Sequence, residues 1–145
     1  MKVVLLHAFP PDERMWDALL PGLREDGFEP VAPRLYGRGG SIDGWAMQIL
    51  AELEGPVVAI GASMGGYCAL ALARRAPERV VGLALVGARP GADTPERRAQ
   101  RDELISRLRT HGLASELATD VPAEELVAAQ EAMRRISLLW RRSCR

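Results

Sequence analysis

Cysteine is scarce in this 145-residue chain, and the two present, Cys68 and Cys144, make neither a metal-ligand spacing nor a disulfide framework. Both read as incidental thiols, and neither a metal nor a cofactor is expected. An excess of charge is missing too. Nineteen basic residues balance nineteen acidic ones, so no overall field draws the chain to nucleic acid or to an anionic membrane, and small neutral partners are expected instead. Long hydrophobic runs are also absent. Met1 and Lys2 lead into Val-Val-Leu-Leu, but His7, Pro10 and Asp12 follow too soon for a signal peptide or a membrane span. The cytoplasm is therefore the expected location. No internal repeat or low-complexity tract occurs. Gly37-Arg-Gly-Gly lacks the strand-to-helix phosphate pattern and the lysine that would follow it, so it reads as a turn.

Apolar side chains make up 48% of the sequence, which suits one domain with one core burying about two-thirds of its unfolded surface. Lys2 to Ala8 is a continuous apolar run of strand length, the pattern of a parallel strand buried on both faces. Residues 12 to 26 space Met15, Leu19 and Leu23 as a helix, with Trp16 and Leu20 beside them and Gly27 as the stop. Glu29 to Leu35 is a weaker strand, because Pro30 and Pro33 cannot donate ladder hydrogen bonds and so favour a sheet edge. After the loop Gly37 to Ser41, the residues Ile42, Trp45, Ile49 and Leu53 mark a second helix, ended by Gly55-Pro56. Val57 to Gly61 is the third strand, Met64 to Arg75 the third helix, and Val80 to Gly87 the fourth strand after the break at Pro77. Such alternation predicts an α/β fold: a doubly wound sheet of about four mainly parallel strands with helices on both faces.

Beyond Arg89 the character changes. Arg, Glu and Ala dominate between the turn signals Pro90-Gly91, His111-Gly112 and Pro122. Thr94-Pro95 opens a helix with the apolar stripe Leu104, Ile105 and Leu108. A further helix is expected from near Pro122, with Leu126, Ala129, Met133, Ile136 and Trp140 on one face and Glu125, Arg134, Arg135 and Arg141 on the other. The organisation is thus a core over residues 1–89 and a helical segment over 90–145. The arginines at 134, 135, 141, 142 and 145 read as a charged helix face and tail.

Chemistry concentrates in residues 57 to 66, Val-Val-Ala-Ile-Gly-Ala-Ser-Met-Gly-Gly. A β-branched run stops at a glycine and a serine follows two residues later. A strand-to-helix turn tight enough to push a serine Oγ into solvent leaves no room for flanking side chains, and Gly61 and Gly65 supply that room. The spacing is that of a nucleophile elbow, with Ser63 at its apex.

On these residues the chain resembles the α/β-hydrolase superfamily, in its compact, lid-bearing esterase-like branch, from Val3 to roughly residue 135. His7-Ala8-Phe9-Pro10 is similar to the family's loop after the first strand, with Met15-Trp16 where an aromatic follows. The stretch Val31 to Ser41 resembles the family's proline, glycine and serine segment, with Arg34 in place of an acidic residue, and Pro77-Glu-Arg-Val80 resembles the entry to the next strand. The resemblance implies that Ser63 is the nucleophile and that the backbone N–H groups of Phe9 and Met64 form the oxyanion hole. It also implies that the helices from Pro95 onward are a lid, and that a small ester or related acyl compound is the substrate. Transferases and lyases carry the same elbow, so an acyl acceptor other than water stays open.

The family takes its acid and its histidine from loops after two further strands, and no such strands follow here. The ending from Ile136 to Arg145 reads as foreign, so a truncated or frameshifted reading frame, weakly active or inactive, is expected. The alternative is a non-catalytic remnant or interaction module whose open sheet edge pairs with a second copy. Neither histidine fills the gap: His7, beside the oxyanion loop, is expected to make structural hydrogen bonds, and His111 to be a solvated residue at a helix end. Asp93, Asp102 and Asp120 are expected as caps or surface charges, and no triad acid is assigned.

Overall fold

The computed structural model describes residues 1–111. The expected helix from Pro122, the arginines from 134 to 145, Asp120 and Cys144 lie outside the described residues. Four strands, β1 (Lys2–Leu6), β2 (Glu29–Val31), β3 (Val57–Ala62) and β4 (Val80–Val86), form one sheet in the order β2-β1-β3-β4. Every neighbouring pair is parallel, as the apolar runs imply. Between them lie α1 (Leu20–Glu25), α2 (Ile42–Glu52) and α3 (Met64–Arg75), and α4 (Pro95–His111) follows β4.

The sheet is wound outward from β1 to β2 and then, after a crossover, from β3 to β4 in the opposite direction. The order of strands therefore reverses between β1 and β3, the position at which open α/β sheets bind their ligands beyond the carboxyl ends of the strands. Each face of the sheet has its own apolar layer. Val4, Leu6, Val57 and Ala59 meet Trp45, Ile49, Ala69 and Leu72 of α2 and α3. On the other face, Val3, Leu5 and Ala62 meet Trp16, with Leu20 and Leu23 packed beside them. Buried on both sides from Val3 to Leu6, β1 needs no polar residue beyond its first, Lys2, which is why its sequence shows no alternation. Leu108 of α4 joins the α2–α3 layer with Leu104 against it, and Ile105 is buried.

Helix ends follow local chemistry. Ser41 caps α2 by accepting from the Gly44 N–H at 3.0 Å. At the other end the Arg79 guanidinium donates to the carbonyls of Leu50, Leu53 and Gly55, acceptors that a helix end and the turn after it leave open.

One expected element breaks in two. Residues 12 to 26 form not a single helix but a 3₁₀ turn at Glu13–Trp16 followed by α1. Pro21 is the cause, since it has no N–H to give to Asp17 and its ring would strike that carbonyl; it is accommodated only in the first turn of a new helix. The expected stripe splits accordingly: Trp16 is buried, whereas Met15 and Leu19 are exposed. The remaining differences are of extent. β1 stops at Leu6 rather than Ala8, and β2 ends at Val31, short of Pro33. β3 runs one residue further, to Ala62, and β4 ends before Gly87, whose φ of +65° turns the chain.

β4 is the other border of the described sheet. Among the described residues no strand pairs with its outer edge, and Val81, Leu83 and Val86 are exposed there. No helix among the described residues is long and apolar enough to cross a membrane.

Candidate functional site

Ser63 occupies the single-residue bend between β3 and α3, with φ +47° and ψ −108°. Among the described residues it is the one non-glycine at positive φ. Such backbone costs on the order of 1–3 kcal/mol and persists only where its surroundings over-determine it. Here the Ser63 N–H donates to the Val86 carbonyl at 2.7 Å and the Ser63 carbonyl accepts from the Gly66 N–H at 3.0 Å. The Ser63 side chain makes no capping bond to α3, so its hydroxyl is not consumed in holding the turn.

Three glycines permit the bend. A Cβ on Gly61 would stand 2.3 Å from the Gly65 carbonyl oxygen, and one on Gly65 would stand 2.1 Å from that of Leu6. At Gly66, which sequence reasoning passes over although it completes the Gly-Gly pair, a Cβ would stand 2.3 Å from the Ala88 Cβ. The first turn of α3 therefore sits directly on the end of β1 and on the loop leaving β4. That brings the serine bend together with residues 6 and 7 at the carboxyl ends of the neighbouring strands β1 and β3. Met64 is the first residue of α3, so its N–H belongs to the group that has no acceptor within the helix, while its side chain is buried in the core. Phe9 lies two residues beyond His7 in the loop leaving β1, its side chain packed against the α2–α3 layer.

His7 is fully buried, and both ring nitrogens are engaged. Nε2 accepts from the Leu35 N–H at 2.9 Å, which puts the proton on Nδ1, 2.8 Å from the Ala8 carbonyl oxygen that it donates to. Its ring rests against Tyr36, centroids 4.8 Å apart. Burial pushes its pKa below the ordinary 6.5, against the opposing pulls of the Ala8 carbonyl and of Glu13 and Asp12. This is a neutral, structural imidazole, as expected, and it has no lone pair left for a serine proton. Sequence alone does not disclose its partners, because both are backbone groups, one of them 28 positions away.

Asp93 departs from expectation. Neither a cap nor a surface charge, it is buried, and its Oδ2 accepts from the Arg101 Nε at 2.6 Å. Arg101 lies over the Tyr67 ring at 5.8 Å, so the pair ties α4 to the start of α3. Thr94 takes the capping role, its hydroxyl accepting from the Arg97 N–H at 3.3 Å. Asp102 is exposed on α4, and His111 is the last residue of that helix. Cys68 is completely buried on α3, where desolvation pushes its thiol up to about 12. Among the described residues no three His, Cys, Asp or Glu side chains are grouped to hold a metal.

A parallel α/β sheet with a strained serine between its central strand and the following helix defines an α/β protein of the strand–elbow–helix class. The sequence profile of the alpha/beta hydrolase family matches residues 3–144, and the chain belongs to that family. A pimeloyl-[acyl-carrier protein] methyl ester esterase from Aromatoleum aromaticum is 38% identical over 94 residues, 61% of this chain and 37% of that protein. A thermophilic esterase from Thermogutta terrifontis is 29% identical with a TM-score of 0.72, over 92% of this chain and 63% of its own. A carboxylesterase structure from Nitrososphaera gargenis shares the fold at a TM-score of 0.81 and 20% identity, over 98% of this chain and 68% of its own. The chain thus spans just over a third of the curated relative and under two-thirds of the Thermogutta enzyme.

The close approach at Gly65 and the burial of His7 can each be tested. Gly65→Ala drives a methyl group into the β1 backbone, so it should lower the unfolding free energy measured in urea by well beyond the roughly 0.5 kcal/mol typical of a neutral surface change; a stability like that of the native chain would contradict the close approach. His7 sets a pH dependence. With its folded pKa below 6.5, the unfolded chain takes up a proton that the folded chain refuses, so stability should decline as pH falls from about 6.5 towards the folded pKa. Asp12 and Glu52, held below ordinary carboxylate values by Arg14 and Arg38, act only at lower pH. Denaturation between pH 7 and 5 should show a slope that His7→Asn removes, and equal slopes in the two proteins would refute this account.

Proposed function

We propose that this chain carries esterase chemistry on Ser63. The Ser63 Oγ attacks the acyl carbon of a small ester, and the charge that develops on the former carbonyl oxygen is met by the N–H groups of Met64 and Phe9. Collapse of the tetrahedral species expels the alcohol and leaves an acyl-Ser63 that water hydrolyses. A well-aimed donor of this kind is worth about 3 kcal/mol of barrier in other serine enzymes. The observation that carries this reading is the backbone of Ser63 itself: a φ of +47° held between glycines that clear space for it, with a hydroxyl the helix does not use. α4 would form part of a lid beside the substrate. Membership of the family and the esterases among its relatives support the reaction class, and the curated relative makes methyl esters the first substrates to try.

The proton of Ser63 needs an acceptor, and the engagement of both His7 nitrogens excludes that residue from the role. Stabilisation of the oxyanion contributes to the rate independently of a general base. The chain should hydrolyse p-nitrophenyl acetate above background and react covalently with a fluorophosphonate probe, and Ser63→Ala should abolish both. Signals that survive Ser63→Ala would end the proposal.

A second reading, an interaction module, is favoured by β4. Its outer edge, unpaired among the described residues, and the exposed Val81, Leu83 and Val86 would suit a second copy, whose β4 would pair antiparallel across a twofold axis. Size-exclusion chromatography with light scattering should then give a dimer that Val81→Lys converts to monomer; a monomer in both cases would dismiss it.

A further inference from the structure

The chain just after β2 reaches back over the loop that leaves β1 and ties it at two points. At one, the Leu35 N–H donates to His7 Nε2. At the other, the Tyr36 hydroxyl lies 3.0 Å from the Pro10 carbonyl oxygen and 3.2 Å from that of Pro11, and its one proton serves the pair. Tyr36 is buried, its ring tilted against His7 on one side and approached by the Arg34 guanidinium at 5.9 Å. Between the tied points the Ala8 N–H meets the Met15 sulfur at 3.2 Å. Phe9 thus sits inside a short span fastened at 7, 8, 10 and 11. The opposite wall of that span is Gly65, which rests on the Leu6 and His7 carbonyls.

We propose that Tyr36 is a positioning residue, which sets the direction of the Phe9 N–H towards the Ser63 bend by holding the Pro10–Pro11 carbonyls with its hydroxyl. The inference rests on the reading of Phe9 as an oxyanion donor and adds what aims it. Tyr36 acts through the loop that carries Phe9. Its effect is geometric, because an oxyanion donor acts over a narrow range of distance and a displacement of about 1 Å can cost on the order of a hundredfold in rate. A phenol suits this role because its ring packs on the imidazole while only its oxygen reaches the loop. Ring and hydroxyl can therefore be separated by substitution.

Tyr36→Phe keeps the ring and deletes the tie. In the full chain this variant should lower the rate of fluorophosphonate labelling and the kcat for p-nitrophenyl acetate by roughly ten- to a hundredfold, with KM changed by less than about threefold. Tyr36→Leu, which also removes the ring from His7, should lower thermal stability as well. Amide hydrogen exchange provides a readout independent of turnover: in Tyr36→Phe the amides of residues 8 and 9 should exchange faster, while those of β3 and α3 stay as they were. Unchanged exchange at 8 and 9, or labelling at the native rate, would overturn the role of Tyr36. If the native chain labels no better than Ser63→Ala while exchange at 8 and 9 rises as expected, Ser63 is not the nucleophile but Tyr36 still fixes the loop.

Discussion

Everything at the head of the sheet depends on how closely the first turn of α3 approaches the backbone of β1. At Gly65 not even a methyl group fits between helix and strand, and at Gly61 none fits between the end of β3 and the turn that follows it. This intimacy forces the chain to reverse within one residue, and Ser63 takes the unfavourable backbone that results. The strain is sustained because its neighbours are fixed on three sides: β1 below, the Val86 carbonyl beside it and the buried Met64 behind. Order in the loops follows from the same contact. The residues after β1 cannot drift from a helix that is seated on them, and the residues after β2 secure them from the far side.

Much of this is legible in the sequence, and the reasons are physical. The strands of a parallel sheet covered on both faces are short, continuous and apolar, so Val3 to Leu6 and Val57 to Ile60 announce themselves without help from context. α3 begins and ends where its flanking Ser63 and Pro77 dictate. Glycines around a serine between a strand and a helix carry a steric meaning that survives in a one-dimensional string. What fails is a periodicity trusted over a proline: Met15, Leu19 and Leu23 keep helical spacing, yet Pro21 breaks the hydrogen-bond ladder between them. Tertiary polar partners are the other blind spot. Asp93 looks like one acidic residue among many in a charged region, and only folding shows that Arg101, two turns further along the chain, neutralises it away from water. Tyr36 is equally mute, because its partners are carbonyls, and every residue has one.

The distribution of histidine separates scaffold from chemistry. In many folds a buried imidazole next to a reactive serine would invite a catalytic assignment, but at His7 the hydrogen bonds decide otherwise. One nitrogen is an acceptor for a backbone amide and the other a donor to a carbonyl, so the ring behaves as a piece of internal scaffolding that replaces missing backbone pairing between two loops. Its displaced titration is a by-product of that placement, since an imidazole engaged on both sides and removed from water gains nothing by accepting a proton. The imidazole beside the serine bend thus serves the scaffold through its two backbone partners.

Cys68 gives the helix behind Ser63 a built-in clock. It lies on α3 with no exposed surface, and a thiol that ionises only near 12 is close to inert while the helix is seated. Alkylating reagents can therefore reach it only during excursions in which α3 lifts from the sheet, and the speed of modification counts those excursions. Because the strained bend exists only while that helix is docked, the lifetime of the bend can be timed by a sulfur atom that plays no part in it.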